Sequence, residues 1–437
     1  MFDNPVLISV IVLTILSLLK VHVIFALILS ALVAGLVAGL PLKETASIFI
    51  SGMGGQSETA LSYILLGVFA AMIAHSGISN LLIQKLLKIK KPNKILLLLL
   101  IAGLTCLSGT LIPVHIAFIP ILIPPLLYFF NKLNIDRRAV ASALTFGLKM
   151  PYLWIPVGYG LIFQGIIATE MTSNGMEIAT SNIPIAMAIP AIGMFVGLFI
   201  AVFLTYKKSR TYNQLATAEL AAVSEDEELM KKFEPRDWIT ILSVFIALGM
   251  QLWFGSMVIG AMSGIITMFL GRIITLKDGE EVVQDGVKLM GAIAFVMLIA
   301  SGYATILKET DAINELVNAV NGVTGDSKFI TAILLLLIGL LVTMGIGTSF
   351  GTVPILAVVF VPLCLAVGFS PLATAALIGT AGALGDAGSP ASDSTLGPTA
   401  GLNADGQHDH IWDTCVPTFI HYNIPLFIFG VIAALVL

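Results

Sequence analysis

Two long apolar runs in this chain break open in the same way, the first at Ser108-Gly109-Thr110 and the second at Gly347-Thr348-Ser349. Laying Gly109-Thr110 on Gly347-Thr348 also lays Pro124 on Pro362, so the two halves read as copies of one unit. Inside a bilayer each backbone group freed by such a break costs several kcal/mol unless something satisfies it. The chain must therefore fold so that its breaks face protein, water or a ligand.

The rest of the chain fixes the class. Of 437 residues, 57% are hydrophobic and 11% charged, against roughly 25% charged in a soluble domain. At roughly 20 apolar residues per span the chain holds about a dozen spans, and no separate soluble domain fits. The start Met1-Phe2-Asp3-Asn4-Pro5 enters the first apolar run with no basic n-region or cleavage site, so that span is expected to be retained. Cys106, Cys364 and Cys415 are far apart and read as packing residues rather than metal or redox pairs. A net charge of −4 without a long basic tract gives no reason to expect nucleic acid as a partner.

Spans are expected near Pro5–Lys20, Val23–Leu40 and Thr59–Ser76, then a broken pair from Lys94 to Asn131. Arg138–Ala168, interrupted around Met150–Gly158, and Pro184–Tyr206 complete a first repeat over 1–206. A charge-dense linker, 207–236, leads to a second repeat over 237–437. That repeat runs Asp237–Phe254, Met257–Thr275, Lys288–Leu307, a broken pair from Phe329 to Gly368, an interrupted span near Leu372–Leu402, and Pro417–Leu437. Gln56 and Glu58 are read as loop residues ahead of the third span.

The positive-inside rule orders these spans. The loop with Lys85, Lys88, Lys90, Lys91 and Lys94 is cytoplasmic, as are Lys132, Arg137 and Arg138, the 207–236 linker, and Arg272 with Lys277. The loop holding Glu170 and Glu177, and the acidic stretch Lys308–Lys328, fall outside. The expectation is an all-α polytopic membrane protein, an inverted repeat of five transmembrane segments plus one re-entrant hairpin per half, with discontinuous helices and both ends outside. A multi-pass plasma-membrane location follows, in a bacterium the inner membrane. Duplicated broken segments of this kind mark secondary transporters.

A half-helix that starts at a break aims N–H groups and partial positive charge at it, and one that ends there offers carbonyl oxygens. The richest break reads Gly385-Asp386-Ala387-Gly388-Ser389-Pro390-Ala391-Ser392-Asp393-Ser394. Carboxylates at membrane depth mark ion or proton pathways, and hard cations prefer oxygen ligands. Asp386 and Asp393, with Ser392, Ser394, Thr348 and Thr352, are thus candidates for Na+ or proton coupling, and Asp386 with Ser389 for substrate. The matching break in the first half carries Lys149, able to pair a substrate carboxylate or a site Asp, with Tyr152, Trp154 and Tyr159 as aromatic surface. Ser108, Gly109, Thr110, Thr348 and Ser349 supply small ligands at the tips. The competing readings are a polar turn for the Asp segment, a snorkelling Lys149, aromatic belts and small-residue helix packing. His115 reads as a proton carrier or an interior hydrogen-bonded residue. His408, Asp409 and His410 look metal-like, but they sit in a polar loop, Asn403–Thr414, placed on the cytoplasmic side.

This run of features resembles the NhaC-type Na+/H+ antiporter family, particularly its YuiF-like branch, within the ion transporter superfamily of elevator-type carriers. The likeness spans essentially the whole chain. It rests on Asn4-Pro5, on Ala60-Leu61-Ser62-Tyr63 with Leu66-Gly67, and above all on Gly382-Ala383-Leu384-Gly385-Asp386-Ala387-Gly388-Ser389-Pro390-Ala391-Ser392-Asp393. It implies a scaffold made of the first three spans of each half, a moving transport domain made of the hairpins and interrupted spans, and a homodimer held by spans such as Pro5–Lys20 and Asp237–Phe254. The tips depart from the Ser-Asn-Thr of the superfamily's dicarboxylate carriers, so a dicarboxylate substrate is not implied.

The resemblance implies amino-acid carriers, histidine among the candidates, so the expected function is Na+- or H+-coupled transport of a small amino acid, with no cofactor beyond the coupling ion and only lipid as further surroundings. A zwitterion suits the residues, since Asp386 or Asp393 can take its ammonium while Lys149 or a hairpin N-terminus takes its carboxylate. Na+/H+ antiport without an organic substrate is the alternative, for which the Asp pair alone would suffice. No enzyme is expected. Ala383-Leu384-Gly385-Asp386 has part of the Gly-x-Gly-Asp signature of intramembrane aspartyl proteases, but lacks its first glycine and an earlier Tyr-Asp.

Overall fold

A computed structural model describes residues 4–19, 21–77, 93–110, 118–213, 234–254, 256–275, 277–310, 327–346, 348–390 and 392–437. Every regular element among them is helical. The first half holds α1 (Pro5–Leu18), α2 (Val23–Val37), α3 (Leu42–Met53), α4 (Ser57–His75), α5 (Lys94–Thr110), α6 (Phe118–Lys132), α7 (Arg137–Trp154), α8 (Tyr159–Ser173) and α9 (Ile183–Phe199). The second holds α10 (Asp237–Phe254), α11 (Met257–Leu270), α12 (Gly279–Glu309), α13 (Lys328–Ile346), α14 (Ser349–Val367), α15 (Pro371–Ala383), α16 (Asp393–Leu402) and α17 (His410–Val436), the last containing two π-helical stretches.

The chain's punctuation explains where these helices stop. Asp136 caps α7 by accepting from the Arg138 N–H, and Ser370 caps α15 by accepting from Ala373, with Pro371 in the first position where its missing N–H is harmless. Gly368, in the left-handed region at φ 77°, ends α14. Ile155 precedes Pro156, a position that disfavours helix; it is extended and closes α7, and α8 restarts at a 48° bend. α3 and α4 meet at a similar bend of 56°.

The helices pack in two groups. α12 lies along α4, α3 and α2, with α11 on α4, α10 on α11 and α1 on α2. In the other group α15 packs on α13, α14, α9 and α17, α7 on α5 and α9, and α16 on α6 and α7. The groups touch where α12 meets α14 and α1 meets α13.

Both broken pairs return to the end from which they start. Lys94, at the start of α5, donates to the Asn134 carbonyl just beyond α6 (3.4 Å), and Lys328, at the start of α13, lies 5.5 Å from the Phe369 ring just beyond α14. At the first of these ends Arg137 pairs with Asp405 (2.5 Å) and Arg210 with Asp413 (2.7 Å), which brings together three segments that the charge pattern assigns to the cytoplasm. At the other, Glu177, Ser370 and Leu437 line a depression of about 660 Å³.

Two expectations need correction. Gln56 is not a loop residue: it is buried in the turn between α3 and α4, and its amide donates to Glu170 (2.5 Å). Glu170 correspondingly lies within α8 rather than in the loop beyond it, and is only 7% exposed. Counting charges along a sequence assigns a side of the membrane but cannot see a carboxylate turned inward onto an amide more than a hundred residues away.

Candidate functional site

α15 has 13 residues and α16 has 10, which at 1.5 Å per residue puts about 20 Å of helix on one side of the 384–392 break and about 15 Å on the other. The break thus sits well inside the helical layer. It starts where Leu384 turns extended and Gly385 adopts φ 80°. A side chain at Gly385 would also meet the Leu340 carbonyl at 2.6 Å and the Met344 nitrogen at 2.7 Å, so glycine is required twice over. Gly388, at φ 108°, passes equally close to Phe419. Asn423 of α17 clamps the loop, accepting from the Gly385 N–H (3.0 Å) and donating to the Ala387 carbonyl (2.8 Å).

This loop presents Asp386, 2% exposed, to the interior. Its carboxylate accepts from Lys149 Nζ, from the Ser349 N–H (3.0 Å) and hydroxyl, and from the Ser392 hydroxyl. Lys149 comes from the last turns of α7 and is itself 7% exposed. Ser349 opens α14, so the partial positive charge of that helix N-terminus also faces the carboxylate. Because a carboxylate only accepts, the Ser349 hydroxyl hydrogen is committed to Asp386. The Tyr152 hydroxyl, 2.7 Å away, must then donate to Ser349, which gives a directed chain Tyr152 to Ser349 to Asp386. The Tyr152, Phe163 and Phe350 rings stack edgewise and tilted around it, with centroids 5.0–5.5 Å apart.

Of the residues singled out from the sequence, Lys149, Tyr152, Ser349, Asp386 and Ser392 converge here. Ser394 joins through its hydroxyl to the Asp386 backbone carbonyl (3.2 Å). Ser389 points elsewhere, to the Met344 carbonyl (3.1 Å), and Thr352 bonds the carbonyl of Thr348 (2.7 Å), the residue just before α14, whose side chain makes no cap hydrogen bond. Asp393, exposed at the start of α16, makes no hydrogen bond to another described residue, but its charge acts on both Asp386 and Lys149, so it stands beside the pair without joining its hydrogen bonds. Trp154 is 39% exposed, turned out from the site. Ser108, Gly109 and Thr110 end α5, but their side chains, and His115 beyond them, lie outside the described residues. His408, Asp409 and His410 do not converge: His408 bonds Thr414 (2.7 Å), Asp409 caps the Trp412 N–H (2.7 Å) and His410 bonds Thr399 (2.8 Å).

Sequence reading missed Asn423 and Thr145, whose hydroxyl holds the Ser394 carbonyl (2.9 Å). Asn423 left a signal, as one of a group of polar side chains with Thr418 and His421 near the start of the apolar final span. Thr145 left none, because a threonine in a helix ordinarily bonds its own backbone.

The Na+/H+ antiporter family model matches residues 143–431, a stretch that contains every contact of Asp386 just described. A second model, the Na+-H+ antiporter family, matches residues 4–89. An uncharacterized membrane protein of Vibrio parahaemolyticus is 50% identical over 445 residues, covering 99% of this chain and 100% of its own. YuiF of Bacillus subtilis, named as a candidate amino acid transporter, is 45% identical over 449 residues, covering 99% and 100%. The fold is similar to that of Neisseria gonorrhoeae MtrF, described among antimetabolite efflux pumps, at TM-score 0.61 and 15% identity over 91% of this chain and 85% of that one. It is also similar to the Alcanivorax borkumensis YdaH transporter, at TM-score 0.60 and 13% identity over 90% and 88%. With its site inside the matched region and full-length relatives at close to half identity, this chain belongs to the Na+/H+ antiporter family and is a membrane transporter.

Proposed function

We propose that the protein is a Na+- or H+-coupled carrier of a small amino acid, histidine among the candidates, working by elevator-type alternating access in the plasma membrane. The observation that carries this reading is the buried Lys149–Asp386 pair at two helix breaks, one from each half. An amino acid zwitterion bears the same two charges. Its ammonium can take the place of Lys149 on Asp386, and its carboxylate can take the place of Asp386 on Lys149 and on the Ser349 N–H. A coupling cation near Asp386 would draw on Ser392, Ser394, Thr348 and Thr352, with Asp393 at the mouth of the loop and Ser389 shaping it. Ser108, Gly109, Thr110 and Trp154 complete the substrate contacts of this reading, Trp154 in a state that turns it toward the site. The candidate transporter name of YuiF, 45% identical, supports the amino acid.

In this reading 1–206 and 237–437 are inverted repeats joined by the cytoplasmic linker 207–236, and α1 and α10 hold a homodimer whose scaffold stays fixed. The ion pair also favours a second reading. A carboxylate that exchanges an ammonium partner for Na+, or loses it on protonation, can run Na+/H+ antiport with no organic substrate.

Uptake of labelled histidine and a panel of amino acids into proteoliposomes, with and without a Na+ or H+ gradient and with internal pH read in the same vesicles, separates the two. Gradient-driven accumulation of one amino acid, lost in Asp386→Asn, is expected. Na+-evoked pH change without any amino acid uptake would transfer the assignment to antiport.

A further inference from the structure

A cavity of about 30 Å³ lies between the two helix groups, lined by Leu66 and Phe69 of α4, Gly158 and Tyr159 at the α7/α8 break, and Ala247 and Gln251 of α10. It adjoins the site through aromatic rings: Tyr159 faces Phe350 (centroids 6.2 Å apart), and Phe350 faces Tyr152 (5.2 Å), which reaches Asp386 through Ser349. Gln251 is 6% exposed, and its Nε2 is buried with no hydrogen-bond partner. Native proteins leave few buried donors unpaired. Gln251 brings the one side-chain amide to this lining, beside the Tyr159 hydroxyl, which bonds Met290 Sδ (3.9 Å).

We infer that this cavity receives the tip of the substrate's side chain and that Gln251 selects side chains ending in a neutral hydrogen-bond acceptor, an amide carbonyl or an imidazole nitrogen. The inference rests on the amino acid reading above. The lining decides the chemistry. None of the lining residues is charged, so a side-chain carboxylate would be stripped of water without a counter-charge and would meet the charge of Asp393, which reaches Tyr159, while an ammonium or guanidinium, having only donors, would leave the Gln251 donor unpaired. A purely apolar tip would fit but leave the Gln251 donor unpaired. At its present size the cavity admits one functional group with a carbon or two. A longer side chain would pass along the Tyr152, Phe350 and Tyr159 wall, with its amino acid head at Lys149 and Asp386.

The test is uptake of labelled glutamine, histidine, methionine and alanine by the full-length protein in proteoliposomes under its driving gradient. Wild type is expected to favour glutamine or histidine over methionine, which has similar length but lacks the acceptor, by about tenfold or more. Gln251→Leu should cut that ratio by about tenfold. Ala247→Leu, which fills the cavity without touching the donor, should lower glutamine and methionine together relative to alanine. Equal scaling of all four substrates in both variants would overturn the inference while leaving the amino acid reading intact. A wild-type preference for methionine would do the same. If wild-type vesicles take up none of the four, this inference fails, and only the absence of uptake across the wider amino acid panel would take the amino acid reading with it.

Discussion

Asp386 and Lys149 are each affordable inside the protein only because of the other. Removing one partner of a buried pair leaves a bare charge at a cost of about 3–5 kcal/mol, whereas replacing both with neutral groups of similar volume is often nearly neutral. Lys149→Met should therefore destabilise the protein by about 3–5 kcal/mol, and the double variant with Asp386→Asn should recover part of that loss, giving a coupling of about 1–3 kcal/mol. Thermal and denaturant unfolding of the purified protein measure this cycle, and simple addition of the two single costs would mean that the pair is not coupled. Tyr152 sits one bond further out, donating to a serine that is already committed. Tyr152→Phe removes one buried hydrogen bond without moving a charge and should cost about 1 kcal/mol. The same variant should weaken substrate binding only if Ser349 drifts once its orienting donor is gone.

The break that carries Asp386 is an element held from outside, by two glycines and by Asn423. Gly385→Ala puts a Cβ against the Leu340 carbonyl and the Met344 nitrogen and forces the left-handed region on alanine, at roughly 1–2 kcal/mol for the backbone alone. Loss of folded protein on size exclusion, or loss of uptake where it does fold, is the expected outcome. The 403–409 loop makes a second prediction. Burial pushes the His408 imidazole down to about 4, with Asp413 and Asp136 opposing and Arg137 and Arg210 reinforcing that shift. An unfolded histidine titrates near 6.5, so below that pH the unfolded chain takes up a proton that the folded chain refuses. Stability is then full above about 6.5 and falls as pH drops toward about 4; melting temperatures across that window should decline in wild type and decline less in His408→Gln. At this scale the sequence was legible wherever local chemistry decides. Pro156, Gly385, Gly388 and Ser392 announce both breaks, and Asp386 and Lys149 stand out as charges in apolar surroundings. It was silent where distant elements decide: nothing local says that Asp386 takes the hydrogen bonds while Asp393 stands beside them, that Trp154 turns away, or that Asn423 reaches back to hold the loop.

Across the whole molecule, the arrangement of ends follows from charge counting, because Lys and Arg positions are set by the side of the membrane on which they stay. Lys94, Arg137 and Arg210 do gather at one end, and Glu177, Ser370 and Leu437 at the other. What charge counting could not supply is where the two helix groups grip each other. Gln56, at the bend between α3 and α4, and Glu170, on α8, form such a contact, since α3 and α4 pack on α12 while α8 packs on α7 and α14. Their hydrogen bond, at 2.5 Å, joins one group to the other with both side chains buried. If transport carries α7, α8, α14 and α15 past α4 and α12, this bond must break in every cycle. Gln56→Cys with Glu170→Cys, in a background lacking Cys106, Cys364 and Cys415, lets a short bis-methanethiosulfonate reagent bridge this point through two reducible disulfides, releasing sulfinate at each thiol. Bridged protein should lose substrate uptake while still binding substrate, and a reductant should restore uptake to the level of the unbridged double variant. Either cysteine alone, treated identically, controls for the lost hydrogen bond. Full uptake by quantitatively bridged protein would mean that the two groups do not slide at this contact, and transport would then need a gate opening around Asp386 in place of a moving domain.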